Sequence, residues 1–191
     1  MDDLVRQAIA KWPNVPDCYG WLGLDARGNW YMRDDRTQAA GPFSAADGGT
    51  PASRGSLLRH DKLIDFIQRN YESDGAGRWF FQNGPQRVYV ELELTPLVWR
   101  VAGDFSVRAH TGAAATVQAC VLDEQGRLYL QCDAGFGLVH TQDMSLAADA
   151  VEQGLWTPQD MPAASLPERF GYVRSPQNDR PKDAPMKKAG Q

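Results

Sequence analysis

Residues 79–94 read W-F-F-Q-N-G-P-Q-R-V-Y-V-E-L-E-L, a hairpin spelled out in side chains. Trp79, Phe80 and Phe81 form a strand-prone run, and Asn83-Gly84-Pro85 is strong turn chemistry. From Arg87 to Leu94 the residues alternate strictly. Val88, Val90, Leu92 and Leu94 fall on one face, and Arg87, Tyr89, Glu91 and Glu93 on the other, because successive strand side chains point to opposite sides. The pattern predicts a strand with one buried face and one polar face. Pro96 ends it, and Leu97 to Val101 begin another.

Upstream, residues 59–72 give the clearest helical spacing. Leu63, Phe66, Ile67 and Tyr71 share a face, with Lys62, Asp65, Arg69 and Glu72 elsewhere. Residues 2–11 predict a short helix stopped by Pro13 and Pro16. Tyr19 to Arg33 predict a hairpin turning in D-A-R-G-N. Residues 34–56 are rich in Gly, Ala, Ser, Pro and Asp and show no periodicity. They read as a flexible, disordered insertion or as a mobile lid over a site. Downstream, 105–110 and 117–133 predict strands, the latter turning in D-E-Q-G-R, and 142–153 predict a helix with Gly154 past its end. From 174 the Pro-rich, charged composition predicts a disordered tail. The expected fold is α+β, with repeated β-hairpin/helix units and mostly antiparallel sheets. The expected divisions are an N-terminal half over 1–103, a β-rich C-terminal half over 104–173 and a tail over 174–191.

Three turns look alike: L-D-A-R-G-N-W-Y at 24–31, S-D-G-A-G-R-W-F at 73–80 and L-D-E-Q-G-R-L-Y at 122–129. Their glycines, Gly28, Gly77 and Gly126, are 49 residues apart both times. Even spacing of this size suggests a repeated supersecondary unit.

Composition narrows the function classes. The net charge is −4, and no segment is strongly basic: residues 54–110 hold 8 Lys/Arg against 7 Asp/Glu. No nucleic-acid partner is therefore expected. The opening M-D-D-L-V-R lacks the charge and apolar run of a secretory signal, and no stretch approaches a spanning helix. A cytoplasmic protein with no membrane partner is the expectation. The three cysteines, Cys18, Cys120 and Cys132, fit a reducing compartment.

The hairpin and helix residues also resemble an uncharacterised proteobacterial family, domain of unknown function 1285, or a sister family of it. Trp21, Leu24, Gly28 and Trp30 match that family's first hairpin. Arg59, Leu63, Ile64 and Phe66 match its helix, and Asp74, Gly77, Trp79 and Phe81 its second hairpin. Pro85, Gln86 and Arg87 stand near its T-P-x-E-K motif, and Glu93, Pro96 and Leu97 near its V-E-D-A-P-F motif. N-G-P-Q-R replaces the Thr-Pro and Glu-Lys pairs, and Leu94 stands where the family has a second carboxylate. The resemblance implies a duplication of small β/α units, a C-terminal half similar to pleckstrin-homology folds, and a nucleotide-like ligand between the halves with a signalling role.

Catalytic signatures are sparse. His60, His110 and His140 are far apart, and no C-x-x-C or G-x-S-x-G is present, so neither a metal nor a cofactor is expected. If D-E-Q-G is a four-residue loop, Cys120 lies opposite Tyr129 and Cys132 opposite Val117, with the thiols on opposite faces. Glu91 and Glu93 lie roughly 7 Å apart on one strand face, with Arg87 beside them. They belong either to a solvated face with cross-strand ion pairs or to a ligand cleft in which Arg87 meets an anion. Arg59 and His60 open a helix against its dipole, marking a bound anion or a frayed end. These residues point to a non-enzymatic small-ligand-binding or regulatory module, its anionic ligand held by Arg59, His60, Arg87, Glu91 and Glu93. The rivals are a structural module with a protein partner and an enzyme with an unrecognised site.

Overall fold

Two sheets collect the hairpins. The computed structural model describes residues 2–179, which alternate strands with six short helices. The first sheet holds β1 (Cys18–Leu24), β2 (Trp30–Met32), β3 (Ser56–Leu57), β4 (Tyr71–Ser73), β5 (Trp79–Asn83) and β6 (Gln86–Leu92), in the order β3-β2-β1-β6-β5-β4. The second holds β7 (Leu97–Val101), β8 (Val107–Ala109), β9 (Ala114–Ala115), β10 (Val117–Leu122), β11 (Leu128–Cys132), β12 (Gly135–Val139) and β13 (Pro158–Asp160), in the order β13-β10-β11-β12-β7-β8-β9. The helices are α1 (Asp3–Lys11), α2 (Asp35–Ala39), α3 (Pro51–Arg54), α4 (Asp61–Arg69), α5 (Met144–Glu152) and α6 (Leu166–Phe170).

Most strand pairs are antiparallel, as the hairpin chemistry dictates. In each sheet, however, an early strand lies parallel to a late one: β1 beside β6, and β7 beside β12. The change of sheet falls between β6 and β7, at Thr95-Pro96. Leu97 to Val101 pair with the second sheet. The two halves also share a core. One cluster joins Leu22, Leu24, Trp30, Val90 and Leu92 of the first sheet to Val121, Tyr129, Phe136 and Leu138 of the second, with Ile67 of α4. A second cluster lies on the other face of the second sheet, where Trp99, Leu130 and Cys132 meet Ala147 and Ala150 of α5.

The three similar turns share one hydrogen-bond pattern. Asp25, Asp74 and Asp123 each accept two backbone N–H bonds on Oδ1, two and four residues on. Arg78 and Arg127 also close back onto the carboxylates of Asp74 and Asp123. Gly28, Gly77 and Gly126 take φ of +83, +76 and +74°, which a side chain resists. The 49-residue spacing nevertheless links non-equivalent places. Gly28 and Gly77 belong to two hairpins of the first sheet, and Gly126 to one of the second.

Three expectations are corrected. Residues 34–56 are not without secondary structure: they carry α2, a 3-10 turn at Ala45–Asp47, α3 and β3, with Phe43, Ser44 and Ser53 buried. Residues 174–179, assigned to the tail by composition, lie against the first sheet, with Leu92 N donating to Arg174 O and a 3-10 turn at Pro176–Asp179; residues 180–191 of that assignment lie outside the described residues. The thiols of Cys120 and Cys132 do not point apart. A bulge between Val117 and Ala119 shifts the register, so that Cys120 opposes Leu130 while Cys132 still opposes Val117, and both enter the cluster beneath α5.

Candidate functional site

The polar face of β6 is the place to begin, because the sequence put two carboxylates on it. It is not an open face. Tyr89 is buried against Tyr19 and Phe80, and Glu91 is only 2% exposed. The cover comes from both ends of the chain. Phe43 lies so close over β1 that a Cβ on Gly23 would come within 2.5 Å of its ring. The segment after Tyr172 closes the other side.

Glu91 is held on both oxygens. Ser175 Oγ donates to Oε2, and Gln177 N donates to Oε1 at 3.1 Å. Burial pushes its carboxyl above the usual range, against the lowering effect of these two donors and of the Arg33 charge. Arg33 is wholly buried and satisfied by backbone carbonyls alone: Nε donates to Ser53 O at 2.9 Å, Nη1 to Gly20 O at 3.2 Å and Nη2 to Gly41 O at 2.7 Å. Desolvation lowers its pKa. The guanidinium thus ties the 41–53 segment to β1.

Glu93 lies two residues on and has different partners. Arg54 meets it with a two-pronged contact, Nη1 to Oε1 at 3.2 Å and Nη2 to Oε2 at 3.0 Å, and stacks over Tyr31 and Phe43. Ala26 N also donates to Glu93 Oε2 at 2.8 Å. This is the geometry of a strong charge-assisted pair.

Between these groups lies a cavity of about 170 Å³, lined by Phe43, Ser44, Asp47, Glu91, Arg174 and Ser175 among others. Arg174 Nη2 donates to Ser44 Oγ at 2.9 Å, to Asp47 Oδ2 at 2.7 Å and to Glu93 O at 3.3 Å. Its Nε is buried without a partner among the described residues.

Of the five residues singled out from sequence, the structure brings Glu91 and Glu93 to one place. Arg87 stands at the far end of β6, exposed, with its guanidinium over the Phe80 ring at 4.8 Å. Four residues of strand separate it from Glu91, about 13 Å. His60 caps α4, its Nδ1 accepting from Leu63 N at 3.2 Å. An imidazole nitrogen that accepts from a first-turn N–H serves as an N-cap, which removes the apparent conflict with the helix dipole. Arg59, beside it, is exposed. No hydrogen bond or ion pair among the described residues joins Arg59, His60 or Arg87 to Glu91 or Glu93, and none of the three lines the cavity beside Glu91. The sequence reading missed Arg33, Ser44, Asp47, Arg54 and Arg174. They sit in the aperiodic 34–56 stretch, at its edges, and at the start of the apparent tail, where no periodicity marks which side chains face inward.

Other chemistry is quiet. Burial pushes the Cys120 thiol up to about 11 and the Cys132 thiol to about 12, which disfavours the thiolate. Among the described residues no three His, Cys, Asp or Glu side chains gather to hold a metal, and no helix is long and apolar enough to cross a membrane.

Comparison with known proteins adds a family without an activity. No curated protein matches the chain. A solved structure of a DUF1285 family protein from Silicibacter pomeroyi DSS-3 is similar, at 14% identity and a TM-score of 0.47, over 78% of this chain and 84% of that one. It is from the family that the hairpin and helix motifs resemble. Residues 1–177 match the family model DUF2944, described as "Protein of unknown function (DUF2946)", and the chain belongs to that family.

Proposed function

We propose that the protein is a small-ligand-binding module that takes an oxyanion in the cavity over Glu91, with a regulatory rather than a catalytic role. The observation that carries this reading is Arg174, which lines the cavity with a buried Nε–H that has no acceptor among the described residues. A buried donor left unpaired costs about 1–3 kcal/mol. A guanidinium edge is shaped to hold a carboxylate or phosphate by two parallel bonds. Asp47, partly exposed, already occupies part of that guanidinium as an internal carboxylate. An arriving oxyanion exchanges with it.

The cavity is smaller than the roughly 300–1,000 Å³ of drug-sized sites. It suits a carboxylate, sulfate or phosphate group, or the anionic head of a larger molecule, rather than a whole nucleotide. Binding without turnover is favoured because Ser175 and Gln177 fix both oxygens of Glu91 in place, as a group that anchors the cover over the sheet.

The test is a calorimetric and thermal-shift titration with phosphate, sulfate, acetate and malonate. Wild type should show saturable stabilisation by at least one of them. R174Q should lose it, and D47N should bind more tightly because the internal competitor is gone. A flat response across the panel, or equal binding by R174Q, overturns the reading.

A further inference from the structure

We propose that residues 174–179 form a strap, latched to Glu91, that closes over the oxyanion cavity and opens as a unit, and that an anion binds only while the strap is closed. The strap stands on the geometry of the chain; its coupling to an anion rests on the oxyanion reading of the cavity.

The described chain leaves the shared core at Tyr172, whose ring stacks on Phe136 with centroids 5.9 Å apart. Val173 N then donates to Gly77 O at 3.0 Å, and Arg174 O accepts from Leu92 N at 2.8 Å. Past that point the attachment changes in kind. Ser175 Oγ and Gln177 N both donate to one group, the Glu91 carboxylate. Gln177 also lies across Gly20, where a Cβ would come within 2.7 Å of its Oε1. Pro176 is the one buried residue of 174–179, and none of these residues joins a core cluster. Asn178 and Asp179 are exposed. The segment is thus held on the sheet by a few directional bonds and little apolar area. Segments of that kind open well below the free energy of global unfolding.

The strap is also a wall. Arg174, Ser175, Gln177 and Asn178 all line the cavity. Arg174 is the one cation among the lining residues, and Asp47 and Glu91 are the carboxylates. Opening the strap carries Arg174 away, together with the two donors that hold Glu91. Asp47 and Glu91 stay behind, and like charges in that position repel an anion. The closed and open states therefore differ in their affinity for an anion, which is the condition for a ligand to shift their balance. A bound anion fastens the strap that holds it.

The experiment is hydrogen exchange of the full chain followed by ¹H–¹⁵N spectra. It is read at the Leu92 amide, whose acceptor sits on the strap, against the amides of β11. In wild type Leu92 should exchange faster than β11. S175A removes one of the two bonds to Glu91 and leaves the Leu92–Arg174 bond intact. It should speed Leu92 exchange about tenfold and leave β11 as it is. E91L removes both acceptors and should speed Leu92 further. Phosphate or malonate at about ten times its calorimetric Kd should slow Leu92 in wild type about tenfold, because binding to the closed state alone divides the open population by 1 + [L]/Kd. Unchanged Leu92 exchange in S175A and E91L overturns the latch, and so does exchange of Leu92 in step with β11 in every variant. If calorimetry shows an anion bound while Leu92 does not slow, the coupling is wrong and the oxyanion reading stands. If neither anion binds, the coupling falls with that reading, and S175A still decides the latch.

Discussion

The two sheets hide their outer faces in different ways. The second covers one face with α5, and the contact is Trp99, Leu130, Cys120 and Cys132 against Ala147 and Ala150. The first covers its outer face with the 34–57 segment and residues 174–178, and much of the contact is ionic or hydrogen-bonded: Arg33 to three carbonyls, Arg54 to Glu93, Arg174 to Asp47, and Glu91 to Ser175 and Gln177. Apolar burial is non-directional and scales with area. A buried polar cover is directional, and losing one partner strands the other. The second sheet is therefore built for stability. The first is built with a cover whose seating depends on named contacts, and that is where the proposed oxyanion would act.

The largest effect should come from the second sheet. Trp99 is fully buried, and its Nε1–H donates to Leu130 O at 3.0 Å. W99A removes that bond and leaves a large hole, at a cost of about 3–5 kcal/mol in chemical denaturation. The loss should be global, with hydrogen exchange accelerated throughout. A loss confined to 34–57 would mean that the two covers are not distinct.

The seam between the sheets gives the next effect. His110 accepts from Val98 N on Nδ1 and packs against Trp30 and Tyr71. Burial lowers its pKa from 6.5 to about 4. The unfolded chain therefore binds a proton that the folded chain refuses between these values, and stability present above pH 6.5 is lost as pH falls toward 4. The loss is on the order of 3 kcal/mol. H110N keeps an acceptor for Val98 N and should flatten this part of the stability profile. An unchanged acid slope would place the proton uptake elsewhere.

A smaller and more local effect is expected from the first sheet's cover. R33M strands the backbone carbonyls of Gly20, Gly41 and Ser53. Each costs about 1–3 kcal/mol unless local opening of the segment lets water reach it, which caps the loss at the free energy of that opening. Exchange should quicken in 41–54 before it quickens in β10 to β12. Uniform acceleration would show that the segment is part of the global core.

These contrasts explain what the sequence disclosed. The alternation from Arg87 to Leu94 placed every side chain on its correct face, because a strand's period of two is independent of context. The Asp-x-x-Gly turns were legible because their chemistry is local. Burial of the polar face was not legible. Whether Glu91 meets water depends on a segment 47 residues upstream and another 84 downstream, as Ser44 and Ser175 show. Short helices such as α2 and α3 carry too few residues for a period to emerge. Arg33 and Arg174 carried no sequence mark of a site, because their partners are mostly backbone oxygens or the outputs of that same distant packing.

Glu91 tests the cover with less force. Its pKa is raised by burial, so the folded state holds a proton more tightly than the unfolded one, and the contribution favours folding at low pH and is lost as pH rises through the folded pKa. E91Q keeps an acceptor for Gln177 N and a group for Ser175. It should be neutral near pH 4 and more stable than wild type at pH 7. If E91Q destabilises the protein at pH 7, the carboxylate is held charged by partners stronger than the two donors seen.

The smallest effect separates the two ends of β6. Arg87 and Glu91 share a strand face, and from sequence alone either could anchor a ligand. Arg87 is exposed, resting on the Phe80 ring, and lies outside the Arg174 cavity. Truncating an exposed side chain of this kind changes stability by about 0.5 kcal/mol or less. R87A should therefore leave the thermal midpoint and oxyanion binding near wild type, while R174Q keeps the fold and loses the ligand. If R87A abolishes oxyanion binding instead, the anion sits at the open end of β6, and the polar cover over Glu91 serves only to close the sheet.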